Sequence, residues 1–241
     1  MAKKINVGTL ISGGGTNLQA IINACLDNSI DANILFTGSD TPGVKGLDRA
    51  KKANIDTFVV DYSQIIGSCK NEGIKDADLP EDFNLDEIQS KQQLFANDAS
   101  KQQAAFFLKS RAIAEREFLD IILAYDMDLL VLAGFMRVLT PYFIDRINTE
   151  PGKYKIMNIH PALLPSFPGT DGYGDTFAYG CKIGGCTVHF IDYGEDTGSI
   201  IGQKAFEIED NDTLDDIKKK GLIKEWELYP QCIQKFADSL I

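Results

Sequence analysis

The sequence has few of the residues that build metal centres. Its 241 residues include only two histidines, and its five cysteines (25, 69, 181, 186 and 232) form no Cys-x-x-Cys pair. A protein zinc site needs three or four such ligands at characteristic spacing, so we expect no bound metal. The odd number of cysteines is typical of reduced thiols rather than of a disulfide framework.

Long apolar runs and an excess of positive charge are also missing. No stretch approaches the roughly 20 consecutive apolar residues that span a bilayer. The apolar segment near the start ends at Ser12, too early for a secretory signal, and we expect a cytoplasmic protein. The net charge of −11 argues against nucleic acid as a partner, because phosphate backbones need a basic surface. Small anionic ligands are compatible with it, since backbone N–H groups can hold them.

Strand patterns alternate with helix patterns over most of the chain. The predicted strands are 5–11, 32–36, 57–60, 128–133 and 154–159, followed by 185–191 and 199–208. The predicted helices are 15–27, 44–53, 85–125, 141–147 and 213–240, the last with Thr213 as its N-cap. Strands separated by helices indicate a parallel sheet, and the two late strands an antiparallel pair. We therefore expect a single Rossmann-like α/β domain over 1–241, with a mostly parallel twisted sheet and flanking helices.

The alternation is interrupted between about residues 61 and 105. This segment is polar and acidic in its middle, and loops of such length are usually functional or disordered. We interpret it as a helical insertion at the edge of the sheet. The helix predicted over 85–125 is expected to be interrupted near Asn97-Asp98.

A glycine-rich turn joins the first strand to the first helix. The run Ser12–Leu18 lacks the Gly-Lys-Ser/Thr ending of a nucleotide triphosphate loop, and Leu18 stands where the dinucleotide fingerprint has its third glycine. Bare N–H groups and the helix dipole favour an anion here. Thr16 and Asn17 are candidates for hydrogen bonds to a phosphate, or they simply cap the helix.

The segment Asn158–Pro165 begins at the carboxyl end of an apolar strand, where open α/β sheets place their active sites. Alternation puts Asn158 and His160 on one side of the strand, so an amide and an imidazole can converge on one oxygen atom. The alternative is a structural asparagine beside a histidine that is satisfied by a backbone carbonyl.

Two further segments are candidates for the site. The acidic turn 192–196 could place a carboxylate against His160 and raise its pKa, although an ordinary solvated turn has the same composition. His189 lies in an apolar strand, and we interpret it as a core histidine. The segment 134–139 suits a flat heteroaromatic ring, or core packing beside a snorkelling arginine.

Together these segments resemble the glycinamide ribonucleotide formyltransferases, folate-dependent enzymes of purine synthesis. The matching segments are 11–22, 132–139, 158–165, 187–190 and 196–198. The pattern Asn-x-His-Pro-x-Leu-Leu-Pro is typical of the wider formyltransferase group, and the first two segments narrow the resemblance to this family.

The resemblance implies direct transfer of the formyl group of 10-formyltetrahydrofolate to the amine of glycinamide ribonucleotide. In catalysis it implies that Asn158 and His160 stabilise the oxyanion and that Asp196 assists proton transfer. For the phosphoribosyl acceptor the implied residues are Gly15, Thr16, Asn17, Gly134 and Glu225. For the folate they are Arg111, Met136, Arg137, Val138, Leu139, Asn158, Asp192 and Asp196. The implied partners are small-molecule substrates, bound by a monomer or a homodimer.

Three features depart from the family pattern. Leu222 replaces a glutamine, the segment 170–175 replaces one that contains histidine, and the insertion after Val60 could overhang the acceptor site. Two alternatives therefore stay open: an N-formyltransferase of amino-sugar nucleotides, and a non-catalytic folate- or nucleotide-binding module. Methionyl-tRNA formyltransferases and formyltetrahydrofolate hydrolases are expected to carry a further domain. A dinucleotide-dependent oxidoreductase is disfavoured by the missing third glycine.

Overall fold

Seven strands form one sheet in the computed structural model, which describes residues 4–95 and 100–240. They are β1 (Ile5–Ile11), β2 (Ala32–Ser39), β3 (Asp56–Val59), β4 (Leu129–Leu132), β5 (Ile156–His160), β6 (Ile183–Phe190) and β7 (Ile200–Glu207). Their order across the sheet is β3-β2-β1-β4-β5-β6-β7. The first five strands are parallel, while β6 runs antiparallel to both β5 and β7. The predicted fold class, a mostly parallel α/β sheet with antiparallel C-terminal strands, is confirmed.

Eight α-helices surround the sheet in the described residues. They are α1 (Thr16–Leu26), α2 (Lys45–Lys52), α3 (Tyr62–Glu72), α4 (Leu85–Lys91), α5 (Lys101–Ile122), α6 (Pro141–Ile147), α7 (Gly172–Tyr179) and α8 (Leu214–Asp238). Thr213 caps α8 as predicted, because its side chain accepts the Asp216 N–H. The helix expected over 85–125 is two helices, and the predicted interruption at Asn97-Asp98 lies outside the described residues. Helix α7 was not predicted.

The core lies on both faces of the sheet. On β1, Val7 and Ile11 point to the face covered by α1, α2 and α8, while Leu10 points to the face covered by α5 and α6. A strand buried on both faces has no polar side, which explains its nearly continuous apolar sequence. None of the helices in the described part of the chain is long and apolar enough to cross a membrane.

The carboxyl ends of β1 and β4 lie side by side at the point where the strand order reverses, since β2 and β3 lie on one side of β1 and β4 and β5 on the other. The Ser12 N–H donates to the Gly134 carbonyl at 2.9 Å, and Ser12 Oγ accepts the Met136 N–H at 2.8 Å. Gly134 has φ +84°, which glycine adopts without steric cost. Ligands of open α/β sheets bind at such a switch point, beyond the carboxyl ends of the strands.

The polar segment after β3 contains α3, α4 and a short 3-10 turn. Helices α3 and α4 pack against α5, and α4 also packs against α6. The Gln93 N–H donates to the Tyr193 carbonyl at 2.9 Å, while Lys91 Nζ and the Tyr193 hydroxyl both donate to the carboxylate of Asp145. The described part of this segment therefore supports the turn after β6, on the side expected for the folate rather than for the acceptor.

Candidate active site

Strand β5 places two polar side chains on one face of the sheet. Met157 and Ile159 belong to the core on the opposite face, so Asn158 and His160 share the other, as alternation predicts. In the antiparallel register with β6, Asn158 lies opposite His189. The strand is thus fixed by pairing on both sides, which holds these two side chains at defined positions.

His160 is buried and has a partner at each ring nitrogen. Its Nδ1 lies 3.1 Å from Asp196 Oδ2, and its Nε2 lies 2.8 Å from the Phe167 carbonyl oxygen. Burial alone would lower the pKa of His160, but the hydrogen bond and charge of Asp196 and the bond to the Phe167 carbonyl outweigh it and raise that pKa. Both partners are hydrogen-bond acceptors, which favours the form of His160 that carries a proton on each nitrogen.

Asp196 is held in the turn between β6 and β7. Besides His160 it faces the Gly169 N–H, which donates to Oδ2 at 2.9 Å, and His189 Nε2, 3.4 Å from Oδ1. Burial would raise the pKa of this carboxyl, yet the hydrogen bonds from His160, His189 and Gly169 hold it well below its usual range. Asp196 is therefore a carboxylate at neutral pH.

His189 is fully buried, as predicted for a core histidine, but it also contacts the site. Its Nδ1 donates to the Phe190 carbonyl at 2.9 Å, and its Nε2 lies 3.4 Å from Asn158 Nδ2. This contact was missed at the level of sequence. The sequence indicated antiparallel pairing of β6 with β7, whereas the contact between His189 and Asn158 depends on the pairing of β6 with β5.

A cavity of about 360 Å³ opens in front of these side chains. Its lining contains most residues that the family resemblance assigned to the folate, namely Met136, Arg137, Val138, Leu139, Asn158, Asp192 and Asp196, together with His160 and Gly134. Arg137 is fixed there by an ion pair with the buried Asp40. Asp192 is turned back into its own loop, where it accepts from Thr197 Oγ1 at 2.6 Å and from the Gly194 N–H.

Arg111 lies outside this cavity. It lines a second cavity of about 580 Å³, between α3 and the start of α5. Its guanidinium lies over the rings of Phe107 and Tyr62, at 4.9 Å and 5.5 Å from their centroids. Arg137 lies over the same Tyr62 ring, so one aromatic side chain separates the two arginines.

The glycine-rich turn is braced by α2. The Gly46 N–H donates to the Gly13 carbonyl at 3.0 Å, and Arg49 Nε donates to the Gly14 carbonyl at 2.8 Å. Gly15 has φ +66°, and a Cβ there would lie 2.7 Å from Gly46 Cα, so only glycine fits. With these carbonyls held by α2, the N–H groups of the first turn of α1 remain for an anion.

Glu225 connects this turn to the rest of the site. Its Oε2 accepts from Asn17 Nδ2 and its Oε1 from the Tyr173 hydroxyl, each at 2.7 Å. Burial raises the pKa of Glu225, although the hydrogen bonds from Asn17 and Tyr173 and the charge of His160 oppose this rise. The Asn17 side chain therefore contacts Glu225, which leaves its backbone N–H for a phosphate. Thr16 is exposed at the start of α1.

The geometry can support acyl chemistry at a carbonyl carbon. A histidine, an amide and a carboxylate face one cavity, and a second carboxyl group, that of Glu225, lies nearby beside the glycine-rich turn. Within residues 4–95 and 100–240 no group of three histidine, cysteine or acidic side chains is arranged to hold a metal ion.

Comparison with known proteins assigns the family. A family model described as "Formyl transferase" matches residues 5–233. The phosphoribosylglycinamide formyltransferase of Bacillus subtilis is 30% identical over 224 residues, which cover 93% of this chain and 90% of the relative. The trifunctional purine biosynthetic protein adenosine-3 of Bos taurus is 29% identical over 99% of this chain, which spans only 19% of that protein.

A solved structure leads to the same family. Glycinamide ribonucleotide transformylase 1 from Symbiobacterium toebii has a TM-score of 0.71 and 31% identity, over 98% of this chain and 89% of that one. The comparisons confirm the predicted enzyme class, a one-carbon group transferase. This chain belongs to the formyl transferase family.

Proposed function

We propose that this protein transfers the formyl group of 10-formyltetrahydrofolate to the amine of glycinamide ribonucleotide, giving N-formylglycinamide ribonucleotide. The observation that carries the proposal is the convergence of Asn158, His160 and Asp196 on one cavity that lies beside a braced anion-binding turn. The names of relatives that share about 30% identity over nearly the whole chain support the same substrate.

The folate would bind with its ring system in the cavity of about 360 Å³. The backbone of residues 136–139 and the turn 192–196 line this space, so peptide N–H and C=O groups can meet the polar edge of a heteroaromatic ring. Met136 is 77% exposed at the rim, where a bound ligand would cover it. This placement brings the formyl group to Asn158 and His160.

The oxyanion that forms when the amine attacks needs hydrogen-bond donors placed in advance. Asn158 supplies an amide N–H from a rigid strand, and among the described residues its Nδ2 has only the long 3.4 Å contact to His189 Nε2. The Nε2–H of His160 is held by the Phe167 carbonyl, so His160 becomes the second donor when the substrate displaces that carbonyl. Removing one such donor typically costs about a hundredfold or more in turnover.

The attacking amine loses a proton during the transfer. The protonated His160 can give its Nε2 proton to the departing folate nitrogen, and the neutral imidazole, still held by Asp196, can then take up the proton that the amine loses. The bond that forms joins the amine nitrogen to the formyl carbon. The bond that breaks joins this carbon to the folate nitrogen, which leaves protonated.

The acceptor would place its phosphate at Gly15 and Thr16, where backbone N–H groups and the α1 dipole favour an anion. Gly134 lines the cavity in which the folate would bind, and Glu225 is hydrogen-bonded to Asn17 of this turn. We further propose that the enzyme acts on small molecules in the cytoplasm, as a monomer or a homodimer, with the insertion at about 61–105 as an elaboration of a single domain.

The test is deformylation of 10-formyltetrahydrofolate by the purified protein, followed by absorbance with and without glycinamide ribonucleotide. Release of the folate that depends on this acceptor is the expected result. Release without any acceptor would indicate a hydrolase. No release in either reaction would contradict the proposal, and amino-sugar nucleotides would then be tested as acceptors.

A further inference from the structure

The Glu225 carboxylate is held in place by two side chains from distant parts of the chain. Tyr173 reaches it from α7 and Asn17 from α1, each with a hydrogen bond of 2.7 Å to a different carboxylate oxygen. The side chain of Glu225 is buried, so its orientation is decided by these two donors and not by water. Two donors on opposite oxygens fix the plane of the carboxylate.

Helix α8 has a glycine, Gly221, where the Tyr173 ring packs against it. Gly221 lies one turn before Glu225 on the same helix face, and a Cβ there would lie 2.1 Å from Tyr173 Cζ. Glycine is disfavoured in the middle of a helix, so a structural reason for it is expected, and the Tyr173 ring provides one. The Tyr173 ring therefore occupies the space that a side chain at position 221 would need.

The Tyr173 hydroxyl donates its proton in the hydrogen bond to Glu225. Burial and the neighbouring carboxylate raise the pKa of this hydroxyl far above its usual value, so it keeps its proton. The start of α7 is itself fixed, because Gly172 packs against the Pro161 carbonyl, one residue after His160. The tyrosine is therefore tied both to Glu225 and to the strand end that carries His160.

Asn17 provides a second, independent observation. Its Nδ2 must face the Glu225 carboxylate, because a carboxylate can only accept, and its Oδ1 is then left as an acceptor. This oxygen is buried and has no hydrogen-bond partner within residues 4–95 and 100–240. A buried acceptor without a donor is unfavourable, so we expect Oδ1 to accept a hydrogen bond from an N–H or O–H group of a ligand.

We propose that Tyr173 is the positioning residue of the acceptor site: it orients Glu225 so that this carboxylate and Asn17 Oδ1 together accept hydrogen bonds from the N–H or O–H groups of the phosphorylated amine. The proposal rests on the proposed function and adds a recognition element to it. In this proposal the glycine-rich turn binds the phosphate, while the Glu225 carboxylate and Asn17 Oδ1 bind the N–H and O–H groups of the same molecule.

The first test compares Tyr173→Phe with the wild-type protein. The phenylalanine ring still fills the gap at Gly221, so the fold is kept and only the hydroxyl is lost. We expect the KM for glycinamide ribonucleotide to rise about tenfold, while the KM for 10-formyltetrahydrofolate and the kcat stay within about twofold. Tyr179→Phe is the matched control, because Tyr179 lies on the same helix, is 80% exposed and makes its ring contact with Phe167.

The second test follows the pKa of Glu225 in the protein without substrates. Carbon-13 NMR of labelled glutamate gives this pKa, and the loss of a signal in Glu225→Gln assigns it. The other polar or titratable groups around Glu225 are Asn17 on α1, His160 on β5, Tyr173 on α7, Cys186 on β6, and Tyr229 on α8. Loss of the Tyr173 hydrogen bond should raise the pKa of Glu225, since that bond stabilises the charged form.

The two tests separate the two proposals. If the wild-type protein does not use glycinamide ribonucleotide, the proposed function fails, and the pKa of Glu225 still decides the role of Tyr173. An unchanged pKa of Glu225 in Tyr173→Phe would overturn the positioning role. So would an unchanged KM for an acceptor that the wild-type protein does use.

Discussion

Replacing Asp196 with asparagine removes one negative charge from the centre of the site and alters little of its shape. In the wild-type protein this carboxylate accepts from His160 and from the Gly169 N–H, and it lies 3.4 Å from His189 Nε2. A hydrogen bond between charged groups contributes about 1.5–3 kcal/mol, and one pKa unit corresponds to about 1.36 kcal/mol. The pKa of His160 should therefore fall, because burial then outweighs the remaining bond to the Phe167 carbonyl.

The consequence for catalysis follows from the charge of His160. A lower pKa shifts His160 in the variant towards the neutral imidazole, which donates more weakly to an oxyanion and cannot return a proton. General acid–base assistance is worth about 10²–10⁴-fold, so we expect kcat to fall by about a hundredfold or more. The remaining activity should peak at a lower pH than that of the wild-type protein.

Proton NMR can test this directly, because the chain has only two histidines and both lie at the site. A pH titration of the two imidazole signals gives the pKa of His160 in both proteins. Asp210→Asn is the control, since Asp210 is exposed and forms an ion pair with Lys182 on the surface. An unchanged pKa of His160, or a kcat within about threefold of wild type, would refute the reasoning.

The same pair predicts a pH window for stability. The pKa of Asp196 is lowered, so its contribution is lost as the pH falls below the ordinary carboxyl range of about 3.9. The pKa of His160 is raised, so its contribution is complete below about pH 6.5 and is lost as the pH rises through the raised value. Urea unfolding of wild type and Asp196→Asn should therefore differ most between about pH 4 and pH 6.5.

Three further changes probe other parts of the structure. Asn158→Ala should lower kcat for deformylation about a hundredfold and leave the KM for the acceptor unchanged. An unchanged kcat with a higher KM would mean that Asn158 only binds substrate. Gly221→Ala should lower the melting temperature, because overpacking against Tyr173 costs about 1–3 kcal/mol and exceeds the helix gain of about 1 kcal/mol; a higher melting temperature would contradict this. Lys91→Ala should raise the KM for 10-formyltetrahydrofolate several-fold by loosening the turn after β6, and Lys153→Ala, on the surface, should not.

Much of the fold could be predicted because its signals are local. Strand β1 matches its predicted bounds, and helix α6 begins at Pro141 as the sequence indicates. Asn158 and His160 could be placed on one face because strand alternation depends only on neighbouring residues. The cavity lining 136–139 followed from the family resemblance and not from composition.

The parts that were missed depend on contacts between distant segments. Helix α7 was not recognised because Gly172 and Gly174 in Asp171–Asp175 are typical of a turn, and its stability comes from packing on α8 and on the loop after β5. Tyr173 gave no local sign of its bond to Glu225, 52 residues later. His189 was correctly placed in the core, but its contact with Asn158 appears only once β6 is paired with β5.

The reversal of direction at β6 determines how the site tolerates insertions and deletions. Asn158 and His160 lie on a strand paired on both sides, so a one-residue insertion there would turn each side chain to the opposite face and disrupt the sheet. Asp196 lies in a turn that leaves the ladder after Phe190 and rejoins it at Ile200. An insertion in that turn would move the carboxylate away from His160 and leave the strand pairing intact. A length change in the turn between β6 and β7 should therefore impair catalysis alone, whereas one in β5 should impair both catalysis and folding.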